Sequence, residues 1–421
     1  MFYKIRNNII WRKEKGFLLI LEPKTKRLLI GNRKNSKSVF QEGIIEKVRN
    51  NEKFISFLIK NKIIKPTHQK PSDNLLYHSL NFISAPLYVT VQVTNRCNLR
   101  CIHCHRISKN TQDINFEIFK KLIDDLRKLN VFSINISGGE PLLVKKIAKM
   151  VRYITSTGMN CTMSTNGTLI TEKLVKQISR TKLSYVQISL DSCNSAVHDK
   201  VRGYKSAFIK TVKNINYLKK AGMKYGIVTT LINQFPKDYK TTIDLAYILG
   251  AQVHKTNTII PQGNFQIKNR TRFLRNTLIK TKKYIKIWKE QRKKYKNKMN
   301  LIAETMFALQ LGRGYLESRE IPKILCCGCP ASILTCTVNE RGDVLPCPFF
   351  PSLIAGNIWR DSFNGVWQNS KVLKKLRDRD KIKICGVCKY KDLCGGCRAR
   401  SFGLFHKFFE RDPLCFRFIE K

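Results

Sequence analysis

Residues 97–104 read Cys97-Asn98-Leu99-Arg100-Cys101-Ile102-His103-Cys104. The cysteines are spaced C-x3-C-x2-C and follow Tyr88–Val93, an apolar run of strand length. Three thiolates on one short loop can hold three irons of a four-iron, four-sulfur cluster and leave the fourth iron open to another ligand. A closed structural zinc site wants four ligands, and His103 or His105 offers a fourth. Spacing alone leaves both chemistries open.

Outward from this loop the chain alternates strand-like and helix-like segments. Strands are expected at Tyr88–Val93, Phe132–Ile136, Asn160–Ser164, Tyr185–Leu190, Tyr225–Leu231 and Val253–Ile260. Amphipathic helices fit between them at Phe116–Leu129, Val144–Thr157, Glu172–Arg180, Phe208–Ala221 and Tyr239–Leu249. Six such units imply an α/β fold with a parallel sheet, open or closed into a partial barrel. In these folds chemistry sits at the carboxyl ends of the strands. Ser137-Gly138-Gly139-Glu140-Pro141 follows the second strand, Ser164-Thr165-Asn166-Gly167 the third and Ser189-Leu190-Asp191 the fourth. Singly, these are ordinary turns and a helix cap. At successive strand ends behind a three-cysteine loop, they point to one site.

Together these residues resemble the radical S-adenosylmethionine enzymes, over roughly Tyr88 to Asn264. Cys97, Cys101 and Cys104 match that family's cluster loop, and Gly138, Gly139, Glu140 and Pro141 match its GGEP motif. The resemblance implies that the GGEP residues hold the cofactor's amino group. It places Ser164, Asn166 and Ser189 at the ribose and carboxylate, Arg202 at the carboxylate and Pro261 near the adenine. His103 stands where the family is frequently aromatic. The implied chemistry is one-electron cleavage of S-adenosylmethionine to a 5′-deoxyadenosyl radical that abstracts hydrogen from the substrate, the cofactor carrying the hard step. The implied fold is a partial (β/α)6 barrel.

Ten of the 15 cysteines lie in the last hundred residues. A C-x2-C pair answered by another is a strong metal signature, for zinc or for iron–sulfur. Cys329-Pro330-Ala331, the Gly342-x4-Cys347 turn and Cys394-Gly395-Gly396-Cys397 resemble the SPASM extension of the same family. By that resemblance Cys329, Cys336, Cys347 and Cys397 would hold one auxiliary cluster, with Cys326 or Cys327 as substitutes for Cys336. Cys385, Cys388, Cys394 and Cys415 would hold a second, giving three [4Fe–4S] clusters with electrons relayed between them. Sulfatase-maturing members usually carry an Asp after the Gly-x4-Cys element, whereas Pro348, Phe349 and Phe350 follow Cys347 here. Cys161 and Cys193 are unassigned; Cys193, after the fourth strand, suits a hydrogen-atom donor only if it reaches the substrate.

Residues 1–84 read as three short strands (Asn8–Trp11, Phe17–Leu21, Arg27–Ile30) and two helices (Ser38–Arg49 and Glu52–Ile63), then a polar linker from Pro66 to Asn74. This pattern resembles the small winged helix-turn-helix that recognises leader peptides in ribosomal-peptide maturation, taking the leader as an added strand between residues 27–30 and 52–63. Three domains follow: a peptide-recognition domain at 1–84, a barrel with a connecting basic helix at 85–300 and a SPASM domain at 301–421.

Composition bounds the partners. The chain has 421 residues, 43% apolar, with 79 Lys+Arg against 29 Asp+Glu, a formal charge of +50. No apolar run reaches the ~18–20 residues of a membrane span, and the start lacks a signal peptide's apolar core. A cytoplasmic setting is expected, with no membrane contact and with cysteines for metal rather than disulfides. Lys268 to Lys298 holds 14 basic residues and one acid; a solvated face over a buried stripe explains it. Residues 1–84 carry a net +12, which suits an acidic leader better than nucleic acid. The expected enzyme is thus an oxidoreductase acting on a precursor peptide, installing a thioether or other cross-link, with a flavodoxin- or ferredoxin-like electron donor. Modification of a redox-cofactor precursor peptide and peptide epimerisation are alternative outcomes. A basic winged-helix iron–sulfur redox sensor is the non-enzyme alternative.

Overall fold

The computed structural model describes residues 2–5, 10–14, 17–21, 28–32, 44–46, 52–67, 83–106, 111–232, 235–265, 270–304 and 328–415. The N-terminal region holds strands β1 (Phe2–Ile5), β2 (Trp11–Glu14), β3 (Phe17–Leu21), β4 (Leu28–Asn32), β5 (Ile44–Glu46) and β6 (Ile64–Thr67), with one described helix, Glu52–Lys60. They form two antiparallel three-stranded sheets, ordered β5-β1-β6 and β2-β3-β4.

This differs from the winged-helix expectation in three ways. The first strand pairs earlier in the chain than residues 8–11. Ile44–Glu46 is a strand where a helix was expected over 38–49, because it pairs with β1 in register Tyr3↔Ile45; the rest of that segment lies outside the described residues, as does most of the Pro66–Asn74 linker. Residues 27–30 and 52–63, the expected walls of a leader groove, belong to different units: β4 pairs with β3, while the helix packs near β6.

The β2–β3 hairpin is fastened to the rest of the molecule. Ile10, Leu19 and Leu21 enter the same apolar core as Val89, Val91 and Ile134. Arg12 and Glu14 form a buried ion pair at 2.7 Å. Arg12 donates to the Ala85 carbonyl at 2.7 Å, and Glu14 accepts from the Ser84 amide at 3.0 Å.

The six expected barrel strands are all present: β7 (Tyr88–Gln92), β8 (Ser133–Ser137), β9 (Asn160–Thr165), β10 (Tyr185–Ser189), β11 (Tyr225–Leu231) and β12 (Val253–Thr258). They are parallel and neighbours in chain order. β13 (Asn300–Ala303) extends the sheet beyond β12. β14 (Thr335–Val338), β15 (Asp343–Leu345) and β16 (Gly356–Asn357) extend it beyond β7. The expected boundary at 300/301 therefore falls inside β13, and the C-terminal region shares the barrel's sheet.

The helices Phe116–Lys128, Ile147–Ser156, Glu172–Ser179, Ala207–Lys220 and Pro236–Ile248 lie close to their expected places. Asn115 and Thr171 cap two of them by accepting from backbone amides. The basic segment forms the helix Arg270–Lys294, whose Tyr284, Ile285 and Trp288 are buried in the core beside β11.

Strand alternation divides the barrel. Ile134, Ile136, Cys161, Met163, Val186 and Ile188 pack against the helices. The intervening residues, such as Asn135, Thr162, Ser164, Gln187 and Lys255, belong to the opposite face, which is polar and lines the barrel's interior. No helix among the described residues is long and apolar enough to cross a membrane.

Candidate functional site

The three-cysteine loop leaves β7 at the carboxyl edge of the sheet and is held from four sides. At the β8 end, Gly139 donates its amide to the Thr94 carbonyl and Glu140 to that of Arg96, each at 2.8 Å. At the β9 end, Asn166 donates to Asn98 at 2.9 Å, and Asn98 donates to Thr168 at 2.9 Å. After β10, at the end of the helix Ser195–Arg202, the amides of Arg100 and Ile102 bond the Arg202 and Val201 carbonyls. After β12, Asn264 donates its amide to the Cys104 carbonyl at 2.8 Å and its side chain to that of Cys101 at 3.2 Å.

Three of these contacts require glycine. A Cβ would stand 2.1 Å from the Arg96 oxygen at Gly139, 2.3 Å from the Arg100 oxygen at Gly203 and 2.2 Å from the Cys104 oxygen at Gly263. The Gly-Gly pair thus admits the backbone of the cluster loop. Gly203, Gly263, Asn98 and Thr168 were missed in the sequence. The signal was a glycine shortly after a strand or its following helix, in Arg202-Gly203 and Pro261-Gln262-Gly263.

The thiols of Cys97, Cys101 and Cys104 lie close enough to act on one another electrostatically. Burial pushes the Cys97 thiol up to about 11, with Glu140 and the other two cysteines adding to the shift. Metal ligation requires thiolates, so bound iron would offset this cost. Arg202 is buried, with Nη1 3.8 Å from Cys101 Sγ and Nη2 2.8 Å from Asp191. Among the described residues its Nε has no hydrogen-bond partner, nor have His103 Nδ1 and His105 Nε2. Burial alone would raise the Asp191 carboxyl; Arg202, helped by His103, His198 and the Thr230 amide, holds it below the usual carboxylate range. A basic side chain with spare donors beside three thiols fits a group that is anionic and has polar atoms to satisfy.

Glu140 is fully buried. It accepts from the Asn166 amide and Thr165 hydroxyl at 2.7 Å each and from the Leu142 amide at 3.1 Å. Burial pushes its carboxyl up to about 7 against those donors. Its visible work is to bridge the ends of β8 and β9, as that of Asn166 is to tie β9 to the loop. Ser164 donates to Asn135 at 3.2 Å. Pro261 is buried, its carbonyl facing Gly403 of the helix Arg398–Phe405.

The C-terminal thiols form two groups. Cys347 is pushed well above its ordinary value by burial, with Cys329 and Cys397 adding to the shift. Cys394 is pushed up to about 12 by burial, with Cys415 and Cys385 contributing, and Cys385 in turn feels Cys388. The turn joining the groups has Gly395 and Gly396 at φ +62° and +56°, a left-handed pair that favours glycine. Cys336 does not join them. It lies on β14, 0% exposed in the apolar core with Val89 and Trp367, and Arg377 is the charge that acts on its thiol. The cluster ligand expected at Cys336 thus lies packed between sheet and helices, apart from the surroundings that Cys329, Cys347 and Cys397 share. Cys326 and Cys327 lie outside the described residues.

Cys161 is likewise buried on the helix side of β9. Cys193 bonds Thr241 at 2.9 Å and Asp238 at 3.2 Å, on the helix Pro236–Ile248. The two thiol regions meet where His105 packs edge-on against Phe349 at 4.8 Å and Arg106 pairs with buried Glu340 at 2.9 Å. Among the described residues, no three His, Cys, Asp or Glu side chains converge on a single-ion site.

Comparison with known proteins agrees with this arrangement. Residues 91–246 match the radical SAM superfamily, and residues 327–390 match SPASM, an iron–sulfur cluster-binding domain. An AdoMet-dependent heme synthase of Methanosarcina barkeri is 29% identical over 79% of this chain and 97% of its own length. The mycofactocin maturase MftC of Mycolicibacterium smegmatis is 30% identical over 83% of this chain and 87% of its own. The crystal structure of Streptococcus suis SuiB bound to precursor peptide SuiA shares the fold at a TM-score of 0.71 and 18% identity, covering 98% of this chain and 99% of that one. Cysteine loop, strand-end motifs and C-terminal thiol groups therefore have one explanation: the chain belongs to the radical S-adenosylmethionine superfamily and carries a SPASM iron–sulfur domain.

Proposed function

We propose that this protein is a radical S-adenosylmethionine peptide maturase that installs a thioether or other cross-link in a ribosomally made precursor peptide. The observation that carries the reading is coverage. The SuiB structure, which holds a precursor peptide, matches 98% of this chain, N-terminal sheets included. The heme synthase relative spends 97% of its length on 79% of this chain. The mycofactocin maturase MftC relative covers 83% of it. The N-terminal region, with a net +12, suits an acidic leader.

When bound, the cluster at Cys97, Cys101 and Cys104 and its S-adenosylmethionine supply a carbon-centred radical that takes hydrogen from the substrate. This chain's residues position and shield that chemistry. Gly138, Gly139 and Glu140 set the loop against β8 and β9. Ser164, Asn166, Ser189 and Pro261 stand around the cofactor's place at the strand ends. Arg202, held by Asp191, presents its spare donor toward a carboxylate. Cys329, Cys347 and Cys397 with one further ligand, and Cys385, Cys388, Cys394 and Cys415, would hold two auxiliary clusters that relay electrons, supplied by a flavodoxin- or ferredoxin-like donor. Epimerisation is disfavoured, because Cys161 and Cys193 are committed to helix contacts. The second reading is modification of a cofactor-precursor peptide, favoured by the likeness to a maturase named for its mature product.

Anaerobic reconstitution with dithionite, S-adenosylmethionine and a candidate precursor peptide, sought as a short acidic-leader gene beside the one for this chain, tests this. About 12 irons per chain are expected, with 5′-deoxyadenosine formed and a peptide mass lowered by two hydrogens. Absence of 5′-deoxyadenosine with and without peptide would refute every enzyme reading.

A further inference from the structure

The helix Arg398–Phe405 begins directly after Cys397, whose Sγ caps it by accepting the Arg400 amide at 3.4 Å. The helix lies against the carboxyl edge of the barrel, where Gln262, after β12, donates its side chain to the Ala399 carbonyl at 2.6 Å. The Arg400 side chain is 2% exposed and has a partner at each nitrogen. Nη1 donates to both oxygens of Asp412, at 3.1 and 2.9 Å. Nη2 donates to the Thr258 hydroxyl at 2.6 Å and pairs with Glu304. Nε donates to the Ile259 carbonyl at 3.4 Å.

Asp412, also buried, joins this guanidinium to the thiols. The oxygen that meets Arg400 at 2.9 Å accepts the Cys397 amide at 2.8 Å. The other accepts the Leu414 amide at 3.0 Å. The Asp412 carbonyl accepts the Cys415 amide at 3.1 Å, and its own amide bonds the Cys385 thiol. One residue thus touches ligands of both auxiliary sites. Within the bonded group, one cation answers two carboxylates, Asp412 and Glu304.

Arg suits this place. It stays charged when buried, and its fork holds two carboxylates and a hydroxyl at once. Its charge acts beyond packing, because the potential of an iron–sulfur cluster follows the net charge around it. A buried charge is screened less than one in water. Without Arg400, two carboxylates would face the Cys397 site unopposed by their shared cation.

We propose that Arg400 sets the reduction potential of the auxiliary cluster bound at Cys397, its buried charge keeping that site easier to reduce than Asp412 and Glu304 would otherwise allow. This rests on the reading of Cys329, Cys347 and Cys397 as cluster ligands. Arg400 acts through its charge and is a positioning residue that takes no part in bond breaking.

The test is a redox titration of the reconstituted full-length chain, followed by electron paramagnetic resonance, without S-adenosylmethionine or peptide. Cys97→Ala, Cys101→Ala and Cys104→Ala in the background silence the first cluster, so that only the C-terminal thiols hold iron, about eight per chain. The couple that disappears on adding Cys347→Ala is the one at Cys397. At the poise where that site is half reduced in the background chain, Arg400→Gln is expected to lower its reduced-to-oxidised ratio about tenfold, which is ~59 mV for one electron. Arg400→Lys keeps the charge and should stay within about threefold. Glu304→Gln should move the ratio the other way, upward. A group that only holds the fold would cost iron or move both variants alike. An unmoved couple in Arg400→Gln with iron retained, or shifts of one sign in Arg400→Gln and Glu304→Gln, overturns the proposal. If Arg400→Gln loses iron, Glu304→Gln decides: a raised ratio supports the proposal and an unchanged one overturns it. A background chain that holds no iron at the C-terminal thiols is a different result, which removes the ligand reading and the proposal with it.

Discussion

Cys336 and Cys347 both follow the Cys329 element, and counting cysteines assigns them to one cluster. Their surroundings separate them. Cys336 packs against Val89 and Trp367, where burial raises its thiol far from ionisation. Cys347 shares its surroundings with Cys329 and Cys397. Cys336→Ala should leave the iron content unchanged and lower stability by about 1 kcal/mol. Cys347→Ala should remove about four irons per chain. Iron assay and electron paramagnetic resonance of the two variants check this; equal iron loss would restore Cys336 as a ligand. The information was partly in the sequence. Thr335-Cys336-Thr337-Val338 alternates, and alternation puts Cys336 on the face of Val338. What it lacked was which face meets the helices, a fact of packing.

At the scale of elements, the six barrel strands were legible because each is a short apolar run bounded by turn residues, with a helical period before the next. The N-terminal strands were less so. Short segments such as Ile44-Ile45-Glu46 carry no period long enough to tell strand from helix, and only pairing with β1 decides them. The β2–β3 hairpin also reads as part of a separate domain, yet Arg12, 7% exposed, donates to the Ala85 carbonyl and pairs with Glu14 beneath the barrel. Arg12→Ala leaves Glu14 buried without its cation, which costs about 3–5 kcal/mol. The expected outcome is a hairpin that detaches, seen as early tryptic cleavage between residues 10 and 21 while the barrel stays protected. An unchanged digestion pattern would show that apolar packing by Ile10, Leu19 and Leu21 suffices.

Across the whole molecule, +50 formal charges disfavour any further protonation on compaction, and two buried histidines sharpen the effect. Burial holds His254, on β12 beside Thr229, down to about 3, and is the main cause that lowers His198 to about 4. Their unfolded value is 6.5. The unfolded chain therefore binds more protons below pH 6.5, and this stability is present above that value and lost as pH falls toward about 3–4. The urea midpoint should drop between pH 7 and pH 5, and His254→Gln should drop less; parallel slopes would remove His254 from the account. The sequence by itself determined the chemistry: cysteine spacing, strand-end motifs and alternation are local patterns, and local patterns survive in one dimension. Only the tertiary structure decided that four separate strand ends clasp one loop, and that Cys336 packs in the core while Cys347 lies beside Cys329 and Cys397. Those facts depend on which distant segments approach one another, and close approach is settled by packing.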